Sequence, residues 1–453
     1  RFRNVTGVQT CALPILIEVT SHTRIQEDNT KLKEIKDIYR PITFPTAYIS
    51  IIKWLAEHYF CSLGEAFALF LPPNLLKPGR EVEPKTDSAP VTIKLSEEQQ
   101  KIVDSLCLES FKIGPKPSLL YGVTGSGKTE IYIKLVQKVI KKGKSAIVLV
   151  PEIILTPQIV DRFQAVFNDQ IVIIHSSLSR SEKYQSYIDY TIGKKKILIG
   201  PRSALLVPNI NTGLIIVDEE HEDAYKQSRS PRYHAIDLAI KIGNELDIPV
   251  ILGSATPRIE SYYHAINKDF NLFEIKNRYN KLILPPSEVI DLKNERRSGN
   301  NSLIYENLVQ AIANTLKNKK QIILFLNRRG SSTFISCREC GHVVLCPNCS
   351  IPLVHHLNSN KSYLYCHHCN YQCNVPKFCP VCKGIKIKYF GAGVEKVEAE
   401  ISKLFPKAKI RRIDKETISK KSDYNKFYYD FNNHKFDIAI GTQLIGKGLD
   451  ISG

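Results

Sequence analysis

The stretch Gly122-Val-Thr-Gly-Ser-Gly-Lys-Thr129 decides the fold, because it fits the pattern G-x-x-x-x-G-K-S/T in full. It follows the apolar run Ser118–Tyr121 and precedes a helical stretch from Glu130 to Ile140. A strand, a glycine-rich turn and a helix in this order form a phosphate-binding loop. Since both flanking elements are in place, the motif favours a phosphate site over a chance glycine-rich turn.

The residues of this loop predict how a nucleoside triphosphate is held. Gly122, Gly125 and Gly127 allow backbone N–H groups to surround the phosphates, and the N-terminus of the helix adds its positive end. Lys128 neutralises the β- and γ-phosphate oxygens, and the hydroxyl of Thr129 is a ligand for Mg²⁺.

An acidic motif, Leu214-Ile-Ile-Val-Asp-Glu-Glu-His221, supplies the remaining chemistry. Asp218, at the end of an apolar strand, can hold Mg²⁺. Glu219 can orient or deprotonate the attacking water. Acids at a strand end are sometimes only solvated, but the complete phosphate loop weakens that alternative, and the two motifs together predict nucleotide hydrolysis.

Short apolar runs alternate with helical stretches from Leu95 onward, which is typical of a parallel sheet covered on both faces. The first series of predicted strands is Ser118–Tyr121, Ala146–Val150, Ile171–Ile174, Ile197–Ile199, Leu214–Val217 and Val250–Leu252. The second is Val289–Asp291, Gln321–Leu326, Lys386–Phe390, Ile410–Ile413 and Asp437–Ile440. We predict an α/β fold of two lobes, with a cysteine-rich module inserted in the second.

Composition limits the classes of protein. The chain has 453 residues with 43% hydrophobic and 24% charged residues, which excludes disordered and fibrous proteins. No apolar run approaches the ~18 residues that span a bilayer, so we expect no membrane partner and a cytoplasmic protein. The net charge of +18 favours a nucleic-acid partner, although a lysine-rich solvated surface would have the same charge.

Eight cysteines form four Cys-x2-Cys pairs, which indicate metal binding rather than disulfides. They are Cys337, Cys340, Cys346, Cys349, Cys366, Cys369, Cys379 and Cys382. Four pairs of thiolates make two closed sites, so we predict two structural Zn²⁺ ions per chain. Iron–sulfur clusters also accept four thiolates, and the spacing leaves open which pairs share an ion.

Further motifs occur in the order found in superfamily 2 helicases, which the chain resembles. Besides Asp218–His221 they are Leu95-Ser-Glu-Glu-Gln99, Gly253-Ser-Ala-Thr-Pro257 and Gly441-Thr-Gln-Leu-Ile-Gly-Lys-Gly448. The resemblance implies that Gln99 contacts adenine, that Ser254–Thr256 couples hydrolysis to lobe movement with Thr256 among the catalytic residues, and that the last motif lies at the cleft between the lobes.

A closer resemblance is to the PriA family of replication-restart helicases. It rests on Gly122–Glu130, Val150-Pro-Glu-Ile-Ile-Leu-Thr-Pro157, Ile199-Gly-Pro-Arg-Ser-Ala204, Asp218-Glu-Glu-His-Glu-Asp-Ala-Tyr-Lys-Gln227 and Leu326-Asn-Arg-Arg-Gly330. The family has two RecA-like P-loop lobes and unwinds DNA in the 3′→5′ direction with ATP. The resemblance implies single-stranded and forked DNA as substrates, and helicase-loading (primosome) proteins and single-strand-binding protein as partners.

The resemblance also assigns residues to DNA and zinc. Tyr225, Lys226, Arg232 and Tyr233 resemble a loop that senses single-stranded DNA, where aromatic rings stack on bases and cations hold phosphates; Arg202 would hold the backbone. An ordinary exposed loop is the alternative. By resemblance the zinc sets interleave, as Cys337, Cys340, Cys379 and Cys382 for one ion and Cys346, Cys349, Cys366 and Cys369 for the other. Cys373 is unassigned.

The predicted domain boundaries are a non-native or unassigned segment at 1–15, a remnant of an N-terminal DNA-binding region at 16–75, a linker at 76–94, a first ATP-binding lobe at 95–282, a truncated second lobe at 283–336 and 383–453, and a zinc module at 337–382. The linker is too short for the winged-helix domain of many family members. We expect that the chain is a fragment, shortened at both ends. We also expect that it binds ATP but hydrolyses it poorly, because the sequence stops before the family's later arginine motif.

Two other functions remain open. One is a different zinc-bearing superfamily 2 translocase or an RNA helicase. The other is a non-enzymatic, zinc-stabilised scaffold that binds DNA and recruits helicase loaders.

Overall fold

The computed structural model describes residues 44–72, 94–110, 114–151, 157–176, 178–279, 285–290, 304–326, 333–337, 339–358, 361–385, 387–390, 394–413, 417, 421–442 and 445. The chain divides into a first unit, Arg1–Leu284, and a second unit, Pro285–Gly453. Among the described residues, no helix has both the length and the apolar character needed to cross a membrane.

The first unit is built on a seven-stranded sheet in which every pairing is parallel. Its strands are β1 (Ser118–Gly122), β2 (Ser145–Leu149), β3 (Ile171–Ile173), β4 (Ile197–Gly200), β5 (Thr212–Val217), β6 (Val250–Ser254) and β7 (Asn271–Ile275). Their order across the sheet is β3-β4-β2-β5-β6-β1-β7. The carboxyl ends of all seven strands therefore lie along one edge.

The described residues of the first unit include eight helices: α1 (Thr46–His58), α2 (Leu63–Phe70), α3 (Glu97–Ser110), α4 (Lys128–Lys141), α5 (Pro157–Phe167), α6 (Arg180–Thr191), α7 (Ala235–Leu246) and α8 (Ile259–Ile266). Successive strand residues face opposite sides. Leu119 therefore belongs to a core with residues of α1, α2, α6, α7 and α8, while Leu120 belongs to a second core with residues of α3, α4 and α5. Both faces are buried, which explains why the strands read as continuous apolar runs.

The six strands predicted for the first unit are all present, and the α/β fold class is confirmed. Strand β7 was not predicted. Its sequence, Asn-Leu-Phe-Glu-Ile, alternates between partly exposed and exposed residues up to the buried Ile275, because it lies at the edge of the sheet beside β1. A search for continuous apolar runs misses such a strand.

The second unit contains a three-stranded parallel sheet in the order β14-β15-β8. The strands are β8 (Ile322–Phe325), β14 (Ile410–Ile413) and β15 (Ile438–Gly441), and the helices are α9 (Glu306–Lys317), α10 (Val394–Leu404) and α11 (Lys421–Asn432). Side chains of α9 and α10 form a core with Ile438 and Ile440, whereas α11 packs on the other side with Ala439. These strands confirm three of the five predicted for the second lobe.

The cysteine-rich region forms a separate five-stranded antiparallel sheet, in the order β12-β11-β10-β9-β13. Its strands are β9 (Thr333–Cys337), β10 (Val354–Asn358), β11 (Lys361–Tyr365), β12 (Gln372–Asn374) and β13 (Ile387–Phe390). A parallel strand was predicted at Lys386–Phe390, whereas residues 387–390 form β13, which pairs antiparallel with β9. Of the predicted strand Val289–Asp291, residues 289 and 290 lie in no strand, and 291 is outside the described residues.

The N-terminal helices α1 and α2 form a hairpin that packs on α7. Ser62 begins α2 with a reciprocal pair of hydrogen bonds to Glu65, which explains why the helical pattern of 46–70 breaks into two helices. The Tyr59 hydroxyl accepts a hydrogen bond from the backbone N–H of His234 (3.0 Å) and donates one to Asp237 Oδ2 (3.1 Å). One phenol thus joins the hairpin to the N-terminus of α7.

We expect Tyr59→Phe to lower the free energy of unfolding by about 1–2 kcal/mol, because two hydrogen bonds are lost and one acceptor is a carboxylate. Urea unfolding can be followed by the fluorescence of Trp54, the single tryptophan, whose ring lies 6.0 Å from that of Tyr59. The matched control is Tyr263→Phe, whose side chain is 63% exposed and should change stability by less than about 0.5 kcal/mol. Equal effects of the two substitutions would contradict this account of the hairpin.

Candidate nucleotide and metal sites

The phosphate loop lies between β1 and α4, as predicted. Gly125 and Gly127 have φ angles of 76° and 78°, in the left-handed region that favours glycine. A Cβ atom on Gly127 would also lie 2.2 Å from Gln99 Nε2. The loop therefore requires glycine at position 127 for two reasons, backbone conformation and space.

The side chain of Gln99 holds the phosphate loop by hydrogen bonds. It is 1% exposed, and its Nε2 donates to the carbonyls of Ser126 (2.9 Å) and Gly127 (3.4 Å). Its Oε1 accepts from the backbone N–H of Ser96 (2.9 Å), which is half of a capping box at the start of α3. The amide thus braces the phosphate loop, and the expected contact with adenine stays a prediction.

Lys128 begins α4 with its side chain 8% exposed. Its Nζ donates to the carbonyl of Gly122, at 2.9 Å, so the ammonium group is held against the end of β1. Thr129 follows on the first turn and is half-buried. The charged group and the hydroxyl that the motif requires are both next to the loop.

Asp218 follows the last residue of β5 and is 6% exposed. Its Oδ1 accepts from the hydroxyl of Tyr132 (2.9 Å), and its backbone N–H donates to Leu149 (2.9 Å). Burial and, to a lesser extent, the neighbouring charge of Glu219 raise the pKa of Asp218 to about 6, although the positive charge of Lys128 and the hydrogen bond from Tyr132 oppose the shift. A buried carboxylate close to a lysine is an arrangement suited to a metal ion.

Glu219 has a φ of 46°, which is uncommon for a residue with a side chain. Its Oε2 lies 3.5 Å from Nδ1 of His221, and the same nitrogen lies 2.8 Å from Ser254 Oγ. Ser254 Oγ in turn accepts from the backbone N–H of Thr256, at 3.0 Å. A continuous set of short contacts therefore joins the acidic motif to the Ser254–Thr256 segment.

The sequence pattern assigns no role to Glu220, the third residue of the acidic motif Asp218–His221. It is fully buried, and burial raises its pKa. Its Oε1 accepts from the N–H of Arg258 (2.7 Å) and its Oε2 from the hydroxyl of Ser261 (2.9 Å). The side chain fixes the segment between β6 and α8, a role that becomes evident only when the ends of β5 and β6 are adjacent.

In the loop expected to sense DNA, residues 225–233, the two tyrosines are not exposed as a stacking role would require. Tyr225 and Tyr233 are 1% and 0% exposed, so in this conformation neither ring offers a face on which a base could stack. Lys226 and Arg232 are exposed, and Arg202 is half-buried with Nη1 donating to the carbonyl of Ala224 (2.6 Å). The cations are therefore at the surface, whereas the tyrosines are part of the core.

Tyr225 connects this loop to the acidic motif. Its hydroxyl donates to the backbone carbonyl of Asp218 at 2.6 Å. The next residue, Lys226, places Nζ 5.2 Å from the centre of the Tyr59 ring in the N-terminal hairpin. The loop is thus attached on one side to the candidate metal ligand and on the other to α1.

Several predicted motifs fall outside the described residues, so their placement is left as a prediction. They are residues 152–156, 327–330, 443–444 and 446–453.

The eight cysteines of the four Cys-x2-Cys pairs meet in two clusters. In each, the four Sγ atoms lie within 4.8 Å of one another. The clusters are Cys337, Cys340, Cys379 and Cys382, and Cys346, Cys349, Cys366 and Cys369. These are the interleaved sets that the resemblance implied, and four thiolates at this separation fit one tetrahedral metal ion.

Each Cys-x2-Cys pair adopts the same turn. The residue four positions after the first cysteine has a positive φ and donates its N–H back to the carbonyl of that cysteine; these residues are Gly341, Ser350, Asn370 and Lys383. The N–H of the first cysteine also donates to the carbonyl five positions later in all four turns. Because both thiols leave the same side of such a turn, each pair acts as a preformed two-ligand unit.

Cys373 lies on β12 and belongs to neither cluster. His368 is close to one of them, with Nδ1 3.2 Å from Cys349 Sγ. Neither residue is needed for a complete set of four thiolates.

Comparison with known proteins gives two family matches. Residues 92–259 match the family described as "Type III restriction enzyme, res subunit", and residues 13–72 match the PriA 3′ DNA-binding domain. The second match overlaps most of the predicted N-terminal DNA-binding region at 16–75.

Similarity to individual proteins is extensive. The chain is 42% identical to replication restart protein PriA of Bacillus subtilis (strain 168), over 81% of this chain and 45% of that protein. It is 38% identical to replication restart protein PriA of Rickettsia felis, over 92% of this chain and 64% of that protein. The chain thus spans less than two thirds of the length of each relative.

Among solved structures, the helicase MrfA bound to DNA aligns with a TM-score of 0.46 and 12% identity, over 79% of this chain and 43% of that chain.

We expect elemental analysis to find two metal ions per chain, one for each cluster. The double variant Cys340→Ser/Cys379→Ser damages a single cluster and should retain one ion, whereas Cys340→Ser/Cys346→Ser damages both and should retain none. Cys373→Ser is the control and should retain two. Retention of one ion by both double variants would contradict the clustering, and loss of an ion from Cys373→Ser would show that a ninth thiol is required.

Proposed function

We propose that this chain belongs to the PriA family of replication restart proteins over the length that it shares with them. We further propose that it is the motor segment of an ATP-dependent DNA helicase. The unwinding direction would be 3′→5′ and the substrate branched DNA such as a stalled replication fork. The observation that carries the proposal is the meeting of Lys128, Asp218 and Ser254 at adjacent ends of β1, β5 and β6.

The nucleotide site would work through groups that this chain supplies. Lys128 and the N–H groups of the phosphate loop would bind the phosphates of ATP, and Thr129 and Asp218 would hold Mg²⁺. When bound, Mg²⁺ would neutralise charge that develops on the phosphate oxygens during hydrolysis. Glu219 would orient the attacking water and accept its proton.

The contacts from Glu219 through His221 to Ser254 support a route from hydrolysis to movement. A change in the position of Glu219 would alter the hydrogen bond between His221 and Ser254, and through it the backbone at Thr256. The fixed contact of Glu220 with Arg258 would carry such a shift into α8.

DNA would be held mainly by exposed cations. Lys226 and Arg232 would contact phosphates, with Arg202 beside them, and Tyr225 would position the loop from the core rather than stack on a base. The match of residues 13–72 to a 3′ DNA-binding domain adds a second DNA-binding region, in keeping with a branched substrate. Helicase-loading proteins are the expected partners, and the protein would act on the bacterial chromosome in the cytoplasm.

The two cysteine clusters would hold Zn²⁺ in a structural role, because four thiolates leave no ligand position open for water. We retain the proposed domain arrangement, with ATP-binding lobes at 95–282 and at 283–336 with 383–453, and a zinc module at 337–382.

We expect Lys128→Ala in the full-length protein to lower DNA-stimulated ATP hydrolysis at least about a hundredfold, because an electrostatic contact to the reacting phosphates is lost. Unwinding should be lost with it, while binding to forked DNA should be unchanged. Lys141→Ala is the matched control, since Lys141 is exposed at the far end of the same helix. Hydrolysis is measured with forked DNA, linear duplex and RNA as stimulants.

The outcomes separate the candidate functions. Strongest stimulation by forked DNA supports the proposal, whereas equal or stronger stimulation by RNA would favour an RNA helicase. If the Lys128→Ala variant still unwound DNA, the motor assignment would be wrong. If it unwound nothing but still rescued stalled forks in cells, a scaffold would explain the function better.

A further inference from the structure

The hydroxyl group of Tyr132 lies where three separate segments of the first unit meet. Tyr132 is one helical turn after Lys128 on α4, and its side chain is 1% exposed. Its hydroxyl donates to Oδ1 of Asp218 at 2.9 Å. The helix that follows the phosphate loop is therefore linked directly to the carboxylate at the end of β5.

The third segment is the end of β6. A Cβ atom on Gly253 would lie 1.7 Å from the Tyr132 hydroxyl oxygen and 2.9 Å from its Cζ. The hydroxyl therefore occupies space that any side chain at position 253 would need. Because residue 253 is glycine, the Tyr132 hydroxyl can pass next to the Ser254–Thr256 segment and reach Asp218.

We propose that Tyr132 is a positioning residue for the candidate metal ligand Asp218, and that Gly253 provides the space for its hydroxyl. The inference rests on the proposed function, because it assumes that Asp218 binds the metal of a metal–nucleotide complex. In this role Tyr132 acts only through Asp218, by the hydrogen bond from its hydroxyl.

A purely structural role is the alternative, since the ring of Tyr132 is part of the core formed with α3 and α5. The two roles differ in their consequences. Loss of a structural hydroxyl would reduce stability alone, whereas loss of a hydrogen bond that orients a metal ligand reduces metal affinity, by about 10–100-fold in well-studied metal sites. Metal affinity therefore distinguishes them.

The test compares Tyr132→Phe with the unmodified protein. Binding of Mn²⁺ in the presence of ADP is measured by electron paramagnetic resonance, and binding of a fluorescent ADP analogue is measured with the metal chelated. We expect Mn²⁺ affinity to fall at least about tenfold. Affinity for the metal-free nucleotide should be nearly unchanged, because the phosphate loop and Lys128 are intact.

Tyr190→Phe is the matched control. Tyr190 is also fully buried, and its hydroxyl makes a hydrogen bond with Thr212 Oγ1 (3.2 Å), not with the acidic motif. It should lose stability without losing Mn²⁺ affinity. Unchanged Mn²⁺ affinity in Tyr132→Phe, or an equal loss in Tyr190→Phe, would overturn the inference.

Gly253→Ala tests the contact from the other side. In the unmodified protein it should weaken Mn²⁺ binding, because the new methyl group displaces the hydroxyl. In the Tyr132→Phe background the same change should have a much smaller effect, since the displaced group is already missing, and the two effects should not add. Fully additive effects would overturn the inference.

Failure of the proposed function has a different signature. If the unmodified protein bound neither ADP nor Mn²⁺ with ADP, the nucleotide site itself would be wrong. If the unmodified protein bound both and Tyr132→Phe bound both equally well, only the role of Tyr132 would be wrong.

Discussion

A buried carboxylate at the end of a central strand is the constraint on which the candidate site depends. Moving a charge out of water is unfavourable unless opposite charge or hydrogen bonds compensate. For Asp218 the compensation comes from Lys128 and from the hydroxyl of Tyr132, yet its pKa still rises to about 6. The incomplete compensation suits a site that receives a divalent cation, because the cation would remove the remaining cost of the buried charge.

The parallel sheet explains why residues so far apart in sequence act together. Strand β6 lies between β5 and β1, and all three run in the same direction, so their carboxyl ends are neighbours. Asp218 follows β5, the phosphate loop follows β1, and Ser254 is the last residue of β6. The acidic motif contacts β6 through the hydrogen bond between His221 and Ser254, and it contacts the helix after the phosphate loop through the hydrogen bond between Tyr132 and Asp218.

The sequence predicted those parts of the site that have a strict local pattern. The phosphate loop and Asp218 could be read directly, because glycine spacing and a strand that ends in acids are local features. The bracing by Gln99, the burial of Tyr225 and the contact between Tyr132 and Gly253 could not, because each depends on which strands are adjacent. The same reason accounts for β7, whose half-exposed pattern has meaning only at the edge of a known sheet.

The cysteine clusters show the same division between local and long-range information. Each Cys-x2-Cys turn is local, but spacing left open which turns share an ion. The antiparallel sheet provides that information: β9 pairs with β13 so that Cys337 lies opposite Ile387, which brings the first turn towards the fourth. The second and third turns both contribute to the core around Ile335, with Cys346 and Cys366 buried in it. Strand pairing thus fixes the interleaved clusters, and a metal ion in each would in turn hold the two ends of the module together.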